Sequence, residues 1–395
     1  MISLSGQDTA PEHQHYAEAM AAAIALASQV LTTTPNPRVG CVVMGPNNTV
    51  LGKGWHQFPG GAHAEVMALE QAGAGARGAT VFVSLEPCAH QGKTPPCADA
   101  LIRAGVKTVV IAGLDPFPQV AGAGVRKLEA AGIKVIHMYD FEQAARQLNR
   151  GYFQRQETGR PFVRCKLAMS LDGRTAVASG ESQWISSAEA RRDVQRLRAG
   201  SCAIVTGINT VLMDDPALTL RPAELALSTE EQQLNGFALQ RQPLRVILDS
   251  GLRIADLPQA KSLQGPGSSL IFTVKEKPGA FPANVEVISL TAKTTGATGD
   301  GTRVDGRAVL ELLASRYQVN EVLLEAGPTL AGAWLAAGLV DELVVYTGAC
   351  LLGQAGRPLL NLPDIVTMAD KRPLEITDLI RIGADLRITA RPGTV

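Results

Sequence analysis

His63 and Glu65 stand two positions apart in the stretch GAHAEVMALE, just where an apolar helical pattern begins. An imidazole can bind a metal, and a carboxylate on the first turn of the same helix can move protons beside that metal. By itself a His-x-Glu pair is usually an ordinary surface feature, because glutamate is mostly exposed in folded proteins. Whether this pair belongs to a site therefore depends on partners elsewhere in the chain.

Two cysteines supply such partners. Cys88 and Cys97 each follow a proline in SLEPCAHQGKTPPCADAL, where a strand pattern gives way to a turn or a helix. One histidine, two thiolates and an open position are the usual composition of a catalytic zinc site, whereas a structural site closes the fourth position. Zinc makes hydroxide available near neutral pH from the water that it binds. Glu65 could then carry the proton to a departing nitrogen without binding the metal.

The order His-x-Glu and then Pro-Cys is the signature of zinc-dependent base deaminases. The usual second half is Pro-Cys-x-x-Cys, but here eight residues, AHQGKTPP, separate the two cysteines. We expect this insert to form a loop over the site that carries His90 and Lys93. His90 is a rival metal ligand, although we favour it as part of the pocket lining. His56 and Lys93 could contact a substrate phosphate or a pyrimidine, or lie at the surface without a role.

The composition is that of a globular protein, and we expect its six cysteines to be reduced thiols or metal ligands rather than disulfides. Hydrophobic residues make up 46% of the 395 residues and charged residues 19%, and this length suits two domains. With no secretory signal and no stretch of about 18 apolar residues, we expect a cytoplasmic protein. The remaining cysteines lie in apolar strand-like runs and are predicted to be core thiols, namely Cys41, Cys165, Cys202 and Cys350.

The elements that must position the site alternate between strand and helix. VGCVVM and VLGKGW flank GPNN as a predicted hairpin, and the runs TVFVSL, VKTVVIAGL and IKVIHM are separated by helical patterns. This alternation predicts βαβ units and a mostly parallel sheet. A polar break near Gly159 sets the predicted domain boundary, with residues 1–158 in the first domain and 159–395 in the second.

A second α/β series follows this boundary. It includes FVRCKLAMS, CAIVTG, LRVILD, SLIFTV, EVLLEAG and ELVVYTG, with predicted surface insertions at Ala223 to Gln240 and Ala292 to Asp305. In LLEAGPTLAGAWL a proline opens a helix, and the N-terminus of such a helix favours a phosphate. A complete G-x-G-x-x-G fingerprint is missing, because GAGVRK has only its first two glycines. These segments could also be ordinary βα turns.

One set of motifs resembles a known family in order and over nearly the whole chain. The motifs are TTTPNPRVGCVV, HAE, LEPCAHQGKTPPC, DPFPQVAGAG, KLAMSLDGRTA, GESQWIS, DDPALTLR and EAGPTLAG. Together they resemble the bacterial bifunctional riboflavin-biosynthesis deaminase/reductase family, whose cysteines have this long spacing. The resemblance implies a cytidine-deaminase-like three-layer α/β/α domain followed by a dihydrofolate-reductase-like α/β domain.

The resemblance also implies the chemistry. The first domain would deaminate 2,5-diamino-6-(5-phosphoribosylamino)pyrimidin-4(3H)-one with one zinc ion held by His63, Cys88 and Cys97. Glu65 would be the proton shuttle, and Asn36 would line the pyrimidine pocket. The second domain would use NADPH to reduce the ribosyl group, giving 5-amino-6-(5-phosphoribitylamino)uracil.

Residues of the second domain are carried over by position. The implied NADPH contacts are Ala168, Trp184, Thr210, Asp214, Ser250, Gly327, Pro328, Thr329, Leu330, Ala331, Gly332 and Ala333. The implied substrate contacts are Ser182, Arg198, Leu218, Arg221 and Glu325, with Lys166 as a further candidate for the ribose end. Arginine suits a ribose phosphate independently, because its planar fork binds phosphate through two hydrogen bonds.

We expect a homo-oligomer that acts on a small phosphoribosyl pyrimidine, with no nucleic-acid or membrane partner. One alternative is a nucleic-acid base deaminase with an appended binding domain, which would need basic patches with interleaved aromatic residues. The chain has 37 basic and 37 acidic residues and only 4% aromatic residues, which disfavours it. Another alternative keeps the deaminase and makes the C-terminal half a non-catalytic nucleotide-binding domain.

Overall fold

The computed structural model describes residues 10–92, 95–117, 120–276, 280–290, 293–294, 302–362 and 365–393. The chain divides into two compact units. The first contains the residues up to Thr158 together with Thr229–Phe237, and the second contains Gly159–Ser228 and the residues from Ala238 onward. None of the helices that the structure describes is both long and apolar enough to cross a bilayer.

The first unit is built on a mixed five-stranded sheet of order β2-β1-β3-β4-β5. Strand β1 pairs antiparallel with β2 and with β3, whereas β3, β4 and β5 are parallel, so the parallel pattern holds for only half of this sheet. The antiparallel pair confirms the hairpin predicted around GPNN. The strands are β1 (Gly40–Met44), β2 (Val50–Trp55), β3 (Thr80–Val83), β4 (Thr108–Ile111) and β5 (Lys134–His137).

Helices cover both faces of this sheet and make it the middle of three layers. Cys41 and Val43 of β1 pack with the helices of one face, and Val42 and Met44 pack with those of the other, because successive residues of a strand point to opposite sides. The first face carries α2 (Ala64–Ala72), α3 (Cys97–Ala104) and α4 (Ala123–Ala130). The second carries α1 (Ala10–Ser28) and α5 (Glu142–Leu148), and α6 (Arg150–Thr158) ends this part of the chain.

Two glycines set the distance between β2 and α2. A Cβ atom on Gly52 would lie 2.1 Å from the carbonyl oxygen of Ala68, and one on Gly54 would lie 2.2 Å from that of Ala64. Real Cβ atoms do not approach so closely, so this packing requires glycine at both positions. The contact holds the start of α2, and with it His63 and Glu65, against the sheet.

The second unit is built on a nine-stranded sheet of order β11-β10-β9-β8-β14-β6-β15-β18-β17. Its strands are β6 (Phe162–Ser170), β8 (Ala203–Gly207), β9 (Leu244–Leu248), β10 (Ser269–Thr273), β11 (Val285–Ser289), β14 (Glu321–Leu324), β15 (Glu342–Gly348), β17 (Leu374–Ile382) and β18 (Asp385–Pro392). Two short pairs lie apart from it: β7 (Arg174–Ala176) with β16 (Arg357–Pro358), and β12 (Lys293–Thr294) with β13 (Thr302–Arg303).

Helices also cover both faces of the larger sheet. They are α7 (Ala188–Gly200), α8 (Ile208–Asp214), α11 (Gly306–Ser315) and α12 (Pro328–Ala336). Helix α9 (Thr229–Leu234) belongs to the first unit, and α10 (Gly236–Gln240) begins in the first unit and ends in the second. Helices α11 and α12 pack on one face, and α7 and α8 pack on the other. The C-terminal hairpin of β17 and β18, which the sequence had not indicated, extends the sheet antiparallel to β15.

Two predictions about individual segments are wrong. The stretch Ala223 to Gln240 is not simply a surface insertion, because Leu225, Asn235 and Ala238 are buried. Cys350 lies in the loop after β15 and is only partly buried, whereas the other three predicted core thiols are buried. Most of the second predicted insertion, residue 292 and residues 295–301, lies outside the described residues.

Candidate metal centre and reductase site

Three ends of secondary structure bring His63, Cys88 and Cys97 together. His63 caps the N-terminus of α2, Cys97 is the first residue of α3, and Cys88 lies in the turn after β3. Their ligand atoms lie within 4.8 Å of one another, and this is the one such cluster in the part of the chain that the structure describes. The predicted metal ligands are therefore brought together.

The distances in this cluster fit a zinc ion. His63 Nδ1 lies 3.2 Å from Cys97 Sγ and 3.6 Å from Cys88 Sγ. Tetrahedral zinc, with bonds of about 2.0 Å to nitrogen and 2.3 Å to sulfur, places such atoms about 3.5 Å apart. One nitrogen and two sulfurs also form a donor set that zinc prefers.

The cluster carries negative charge that a cation would balance. Hydrogen bonding with Cys97, whose backbone N–H donates to Cys88 Sγ at 3.3 Å, lowers the pKa of the Cys88 thiol to about 4. The hydrogen bond with this thiolate raises the pKa of His63, and it also raises the pKa of Cys97. A thiolate at the start of a helix is stabilised by the backbone N–H groups and by the helix dipole.

Glu65 lies beside the cluster without being part of it. Its side chain is 3% exposed, and burial raises its pKa to about 7, with the charge of Cys88 acting in the same direction. The carboxyl group also contacts the Cys97 thiol through a hydrogen bond. A buried carboxyl group next to the ligands has the position that a proton shuttle needs.

Asn36 and His56 form a hydrogen-bonded pair next to His63. His56 Nδ1 lies 3.1 Å from the carbonyl oxygen of Ala62, and because a carbonyl only accepts, Nδ1 must carry the proton. His56 Nε2 then accepts from the side-chain amide of Asn36 at 3.0 Å. Burial lowers the pKa of His56, which keeps its ring neutral, and the ring packs edge-on against His63. His56 is 3% exposed, so the surface alternative for this residue is wrong.

The insert between the cysteines is exposed at His90, Gln91, Gly92 and Pro95, whereas Ala89 is partly buried and Pro96 is buried. His90 is exposed, packs edge-on against Phe117 at 5.9 Å, and does not belong to the ligand cluster. Lys93 lies outside the described residues.

Two buried carboxyl groups near the cluster were missed from the sequence. Glu86 accepts the backbone N–H groups of Asp115 and Gly122 on one oxygen, and those of Gly124 and Val125 on the other, at 2.9 to 3.2 Å. It therefore ties the chain before Cys88 to the loop that leads into α4. A glutamate directly before the Pro-Cys pair, at the end of a buried strand, was the available signal.

Asp115 is the second of these groups. The hydroxyl of Tyr152 donates to its Oδ1 at 2.9 Å, as does the backbone N–H of Phe117. Burial raises the pKa of Asp115 to about 6.

In the second unit, Lys166, Arg198 and Glu325 form a largely buried charged cluster, in which the side chains of Arg198 and Glu325 are 12% and 14% exposed. Arg198 donates from Nε and Nη2 to the two carboxylate oxygens of Glu325, at 2.7 and 2.9 Å, and from Nη1 to the carbonyl oxygen of Thr219. Burial lowers the pKa of Lys166, whereas the nearby charge of Glu325 opposes this. Burial acts to raise the pKa of Glu325, but Arg198 outweighs it and the pKa falls.

The strand order explains how these three residues meet. Strands β8, β14 and β6 are parallel neighbours, so their carboxyl ends lie at one edge of the sheet. Lys166 lies on β6 and Glu325 directly follows β14, while Arg198 reaches them from α7. Ligands in open α/β sheets bind at this edge.

The remaining residues predicted for the second unit are more dispersed. Gly327 caps α12, and a Cβ atom there would meet nothing within 4 Å, so the start of this helix is open to a ligand. Trp184 is 69% exposed and lies under the guanidinium of Arg191. Leu218 is buried in the core, and Arg221 is exposed and paired with Glu224.

The other predicted positions occupy separate elements. Ser182 follows β7, Thr210 and Asp214 lie on α8, and Ser250 follows β9. The hydroxyl oxygen of Ser250 accepts the backbone N–H of Val304. Ala168 is on β6, and the stretch Pro328 to Ala333 forms the first turns of α12.

Comparison with known proteins assigns both units. Residues 13–113 match the family described as cytidine and deoxycytidylate deaminase zinc-binding region, and residues 161–387 match the RibD C-terminal domain. The RibD protein of Escherichia coli is 46% identical over 368 residues, covering 93% of this chain and 96% of its own length. This chain belongs to the RibD family.

Other RibD proteins agree with this assignment. The Haemophilus influenzae protein is 41% identical over 372 residues, covering 92% of this chain and 94% of its own length. A solved structure of Acinetobacter baumannii RibD superposes with a TM-score of 0.83 at 38% identity, covering 97% of this chain and all of that one.

A Thermotoga maritima structure superposes with a TM-score of 0.80 at 30% identity, covering 97% of this chain and all of that one. It is described as a diaminohydroxyphosphoribosylaminopyrimidine deaminase/5-amino-6-(5-phosphoribosylamino)uracil reductase. As a RibD-family member, this chain is a bifunctional riboflavin-biosynthesis enzyme with a deaminase part and a reductase part. The alternative of a nucleic-acid base deaminase is not favoured.

Proposed function

We propose that the first unit deaminates 2,5-diamino-6-(5-phosphoribosylamino)pyrimidin-4(3H)-one. We propose that the second then reduces the ribosyl group with NADPH to give 5-amino-6-(5-phosphoribitylamino)uracil. The observation that carries this proposal is the cluster of His63, Cys88 and Cys97 with the buried Glu65 beside it, in a chain of the RibD family.

In the deaminase, we assign zinc binding to His63, Cys88 and Cys97, one ion per domain. Bound zinc supplies a Lewis acid that makes water nucleophilic near neutral pH. Glu65 is buried beside the ligands, so it can pass a proton to the departing amino nitrogen, which leaves as ammonia. His56 holds the side-chain amide of Asn36 in one orientation, and Asn36 can then bind the edge of the pyrimidine.

In the reductase, the charged cluster at the sheet edge is the proposed site for the ribosyl end. Lys166 and Arg198 set two positive charges against the single carboxylate of Glu325, which leaves the net positive charge that a phosphorylated sugar needs. Each of the three guanidinium nitrogens of Arg198 already donates a hydrogen bond to Glu325 or Thr219. We therefore propose that Arg198 holds Glu325 in place. The more exposed Arg221 is then the better candidate for direct phosphate binding.

The start of α12 is the proposed phosphate site of NADPH. Gly327 and the open space beside it, together with the N–H groups of the first helical turn, support this assignment. NADPH supplies the hydride that reduces C1′ of the ribose, and the residues of the chain align the sugar with it. The other implied NADPH contacts stay predictions, namely Ala168, Trp184, Thr210, Asp214 and Ser250.

Several broader statements are also proposals. We assign residues 1–158 to the deaminase and 159–395 to the reductase, although Thr229–Phe237 packs in the first unit. The cytoplasmic location, the homo-oligomeric state and the absence of a nucleic-acid partner stay predictions of the sequence.

The test follows ammonia release and NADPH oxidation by the full chain. With the diamino substrate, Glu65→Gln should lose at least about a hundredfold in ammonia release, because the proton shuttle is gone. Given the deaminated substrate instead, the same variant should oxidise NADPH at the wild-type rate. Glu70→Gln, an exposed glutamate on the same helix, is the matched control and should keep both activities.

Two results would contradict the proposal. If the wild type releases ammonia but never oxidises NADPH with either substrate, the reductase assignment is wrong. If Glu65→Gln releases ammonia at the wild-type rate, Glu65 is not the shuttle.

A further inference from the structure

The deaminase unit contains one segment from the C-terminal half of the chain. Thr229–Phe237 packs with the residues up to Thr158, although 70 residues separate it from them in sequence. Within it, Asn235 lies between α9 and α10 and is 4% exposed. A polar side chain buried so completely must find partners for its amide.

Asn235 finds these partners in the backbone that follows α1. Its Oδ1 accepts the N–H of Leu31 at 2.6 Å, and its Nδ2 donates to the carbonyl oxygen of Gln29 at 3.2 Å. The same Nδ2 donates to the carbonyl oxygen of Glu231 at 2.9 Å, which fixes the amide on its own helix. The side chain therefore clamps the chain where α1 ends.

Gln29 and Leu31, the residues that Asn235 holds, lie at the start of the loop that carries Asn36. Thr33 and Asn36 form a closed turn, in which the Asn36 N–H donates to the Thr33 carbonyl and the Thr33 hydroxyl donates to the Asn36 carbonyl, both at 3.0 Å. Thr33 is 1% exposed, so the turn is also packed on its buried side. Leu31 stands two residues before this turn, so the backbone that Asn235 holds leads directly into it.

The far end of the loop is held by Arg38 and Asn149, and the side chain of Arg38 also reaches back to the entry side at Val30. Arg38 donates to the carbonyl oxygens of Val30 and Leu148, and the side-chain amide of Asn149 pairs with the backbone N–H and carbonyl of Arg38. Asn235 therefore anchors the entry side through Gln29 and Leu31, where Arg38 adds one longer hydrogen bond to Val30, and Arg38 with Asn149 anchors the exit side.

We propose that Asn235 is a positioning residue of the deaminase: it fixes the loop that presents Asn36 to the pyrimidine. This inference rests on the proposed function, because Asn36 is assigned to the pyrimidine pocket there. It assigns to the C-terminal half of the chain a role in the reaction of the N-terminal half.

The experiment measures both activities of the full chain with Asn235→Ala. Removing a buried hydrogen-bonding side chain should raise the KM of the deaminase for the diamino substrate by about tenfold. The bound zinc and the NADPH turnover with the deaminated substrate should stay at wild-type values. Asn235→Asp keeps an acceptor for Leu31 but places an oxygen against the Gln29 carbonyl, so its deaminase KM should rise as well.

Asn284→Ala is the matched control. Its side chain also donates to two backbone carbonyl oxygens, those of Leu263 and Gly267, but within the second unit. This variant should leave the deaminase KM unchanged, whatever it does to the reductase.

The outcomes separate this inference from the proposed function. If the wild type releases no ammonia from the diamino substrate, the proposed function fails. If the wild type is active and both Asn235 variants keep its deaminase KM, only the role of Asn235 is refuted. A loss of zinc or of active enzyme at unchanged KM would likewise show a purely structural role and overturn the inference.

Discussion

The two candidate sites of this chain are built in different ways. The metal centre takes its ligands from two short stretches of sequence, and the ligand atoms of His63, Cys88 and Cys97 lie within 4.8 Å of one another. The charged cluster of the second unit takes Lys166, Arg198 and Glu325 from three elements spread over 160 residues. Metal ligands must have particular chemistry and spacing, whereas a sheet edge collects side chains from wherever the strands end.

The sites also differ in how their charge is balanced. In the metal centre, the Cys88 thiolate supplies negative charge that a cation would offset, while burial favours the neutral form of Glu65. In the second site, Arg198 already neutralises Glu325 within the chain, and Lys166 leaves a net positive charge. The first site thus suits a bound metal, and the second suits an anionic substrate.

The largest expected effect tests this internal charge balance. Glu325→Gln should lower kcat/KM of the reductase by about a hundredfold, because Arg198 loses its partner and stays buried with an uncompensated charge. Ammonia release should not change, and Glu311→Gln, an exposed glutamate on α11, is the control. If Glu325→Gln oxidises NADPH at the wild-type rate, the reductase does not need the Arg198–Glu325 pair. The proposed difference in charge balance between the two sites would then be wrong.

A smaller effect tests how the metal centre is supported. Each oxygen of Glu86 accepts two N–H groups, so Glu86→Gln, although similar in shape, turns an amide donor toward two of them. Leaving buried donors unpaired should cost about 2–4 kcal/mol of deaminase stability.

Urea titration, read out as zinc release, measures the effect of Glu86→Gln, with the exposed Glu129→Gln of α4 as control. Reductase activity should be lost at the same urea concentration in all three proteins. An unchanged midpoint for zinc release in Glu86→Gln would show that this loop does not support the metal centre.

The smallest effect is a pH dependence in the first unit. Because burial raises the folded-state pKa of Asp115 to about 6, above its value of about 3.8 when unfolded, ionisation of this group destabilises the fold as pH rises through 6. Asp115→Asn removes this penalty while keeping an acceptor for Tyr152.

Relative to the wild type, the Asp115→Asn variant should therefore gain about 1 kcal/mol of stability between pH 5 and pH 7.5. Denaturant titrations of both proteins at the two pH values measure the difference. If the stability of the variant relative to the wild type instead falls as pH rises, the charged carboxylate of Asp115 stabilises the fold.

Much of the fold could be predicted from local patterns. The hairpin of β1 and β2, the helices that begin near Ala64, Cys97 and Pro328, and most strands of both sheets follow from apolar runs interrupted by glycine and proline. The hairpin of the exposed edge strand β17 with β18 was missed, because neither strand has the continuous apolar run of the buried strands.

Supporting residues were harder to predict than ligands. Nothing in the sequence around Glu86 indicates that four backbone N–H groups donate to its carboxylate. Three of these groups belong to residues at least 36 positions away. Asn235 lies in a polar stretch that resembled a surface insertion, and its partners are more than 200 residues away. Neither the burial nor the partners of such a side chain are encoded in its neighbours.

The sequence by itself determined the metal-binding chemistry, the alternation of strands and helices, and the family. Those depend on residue type and short spacing, because zinc ligands and amphipathic periods are local requirements. Only the tertiary structure decided that Arg198 holds Glu325, that His56 orients Asn36, and that Asn235 packs in the deaminase unit. These depend on buried polar groups finding partners, and in a folded chain the nearest partner in space is often distant in sequence.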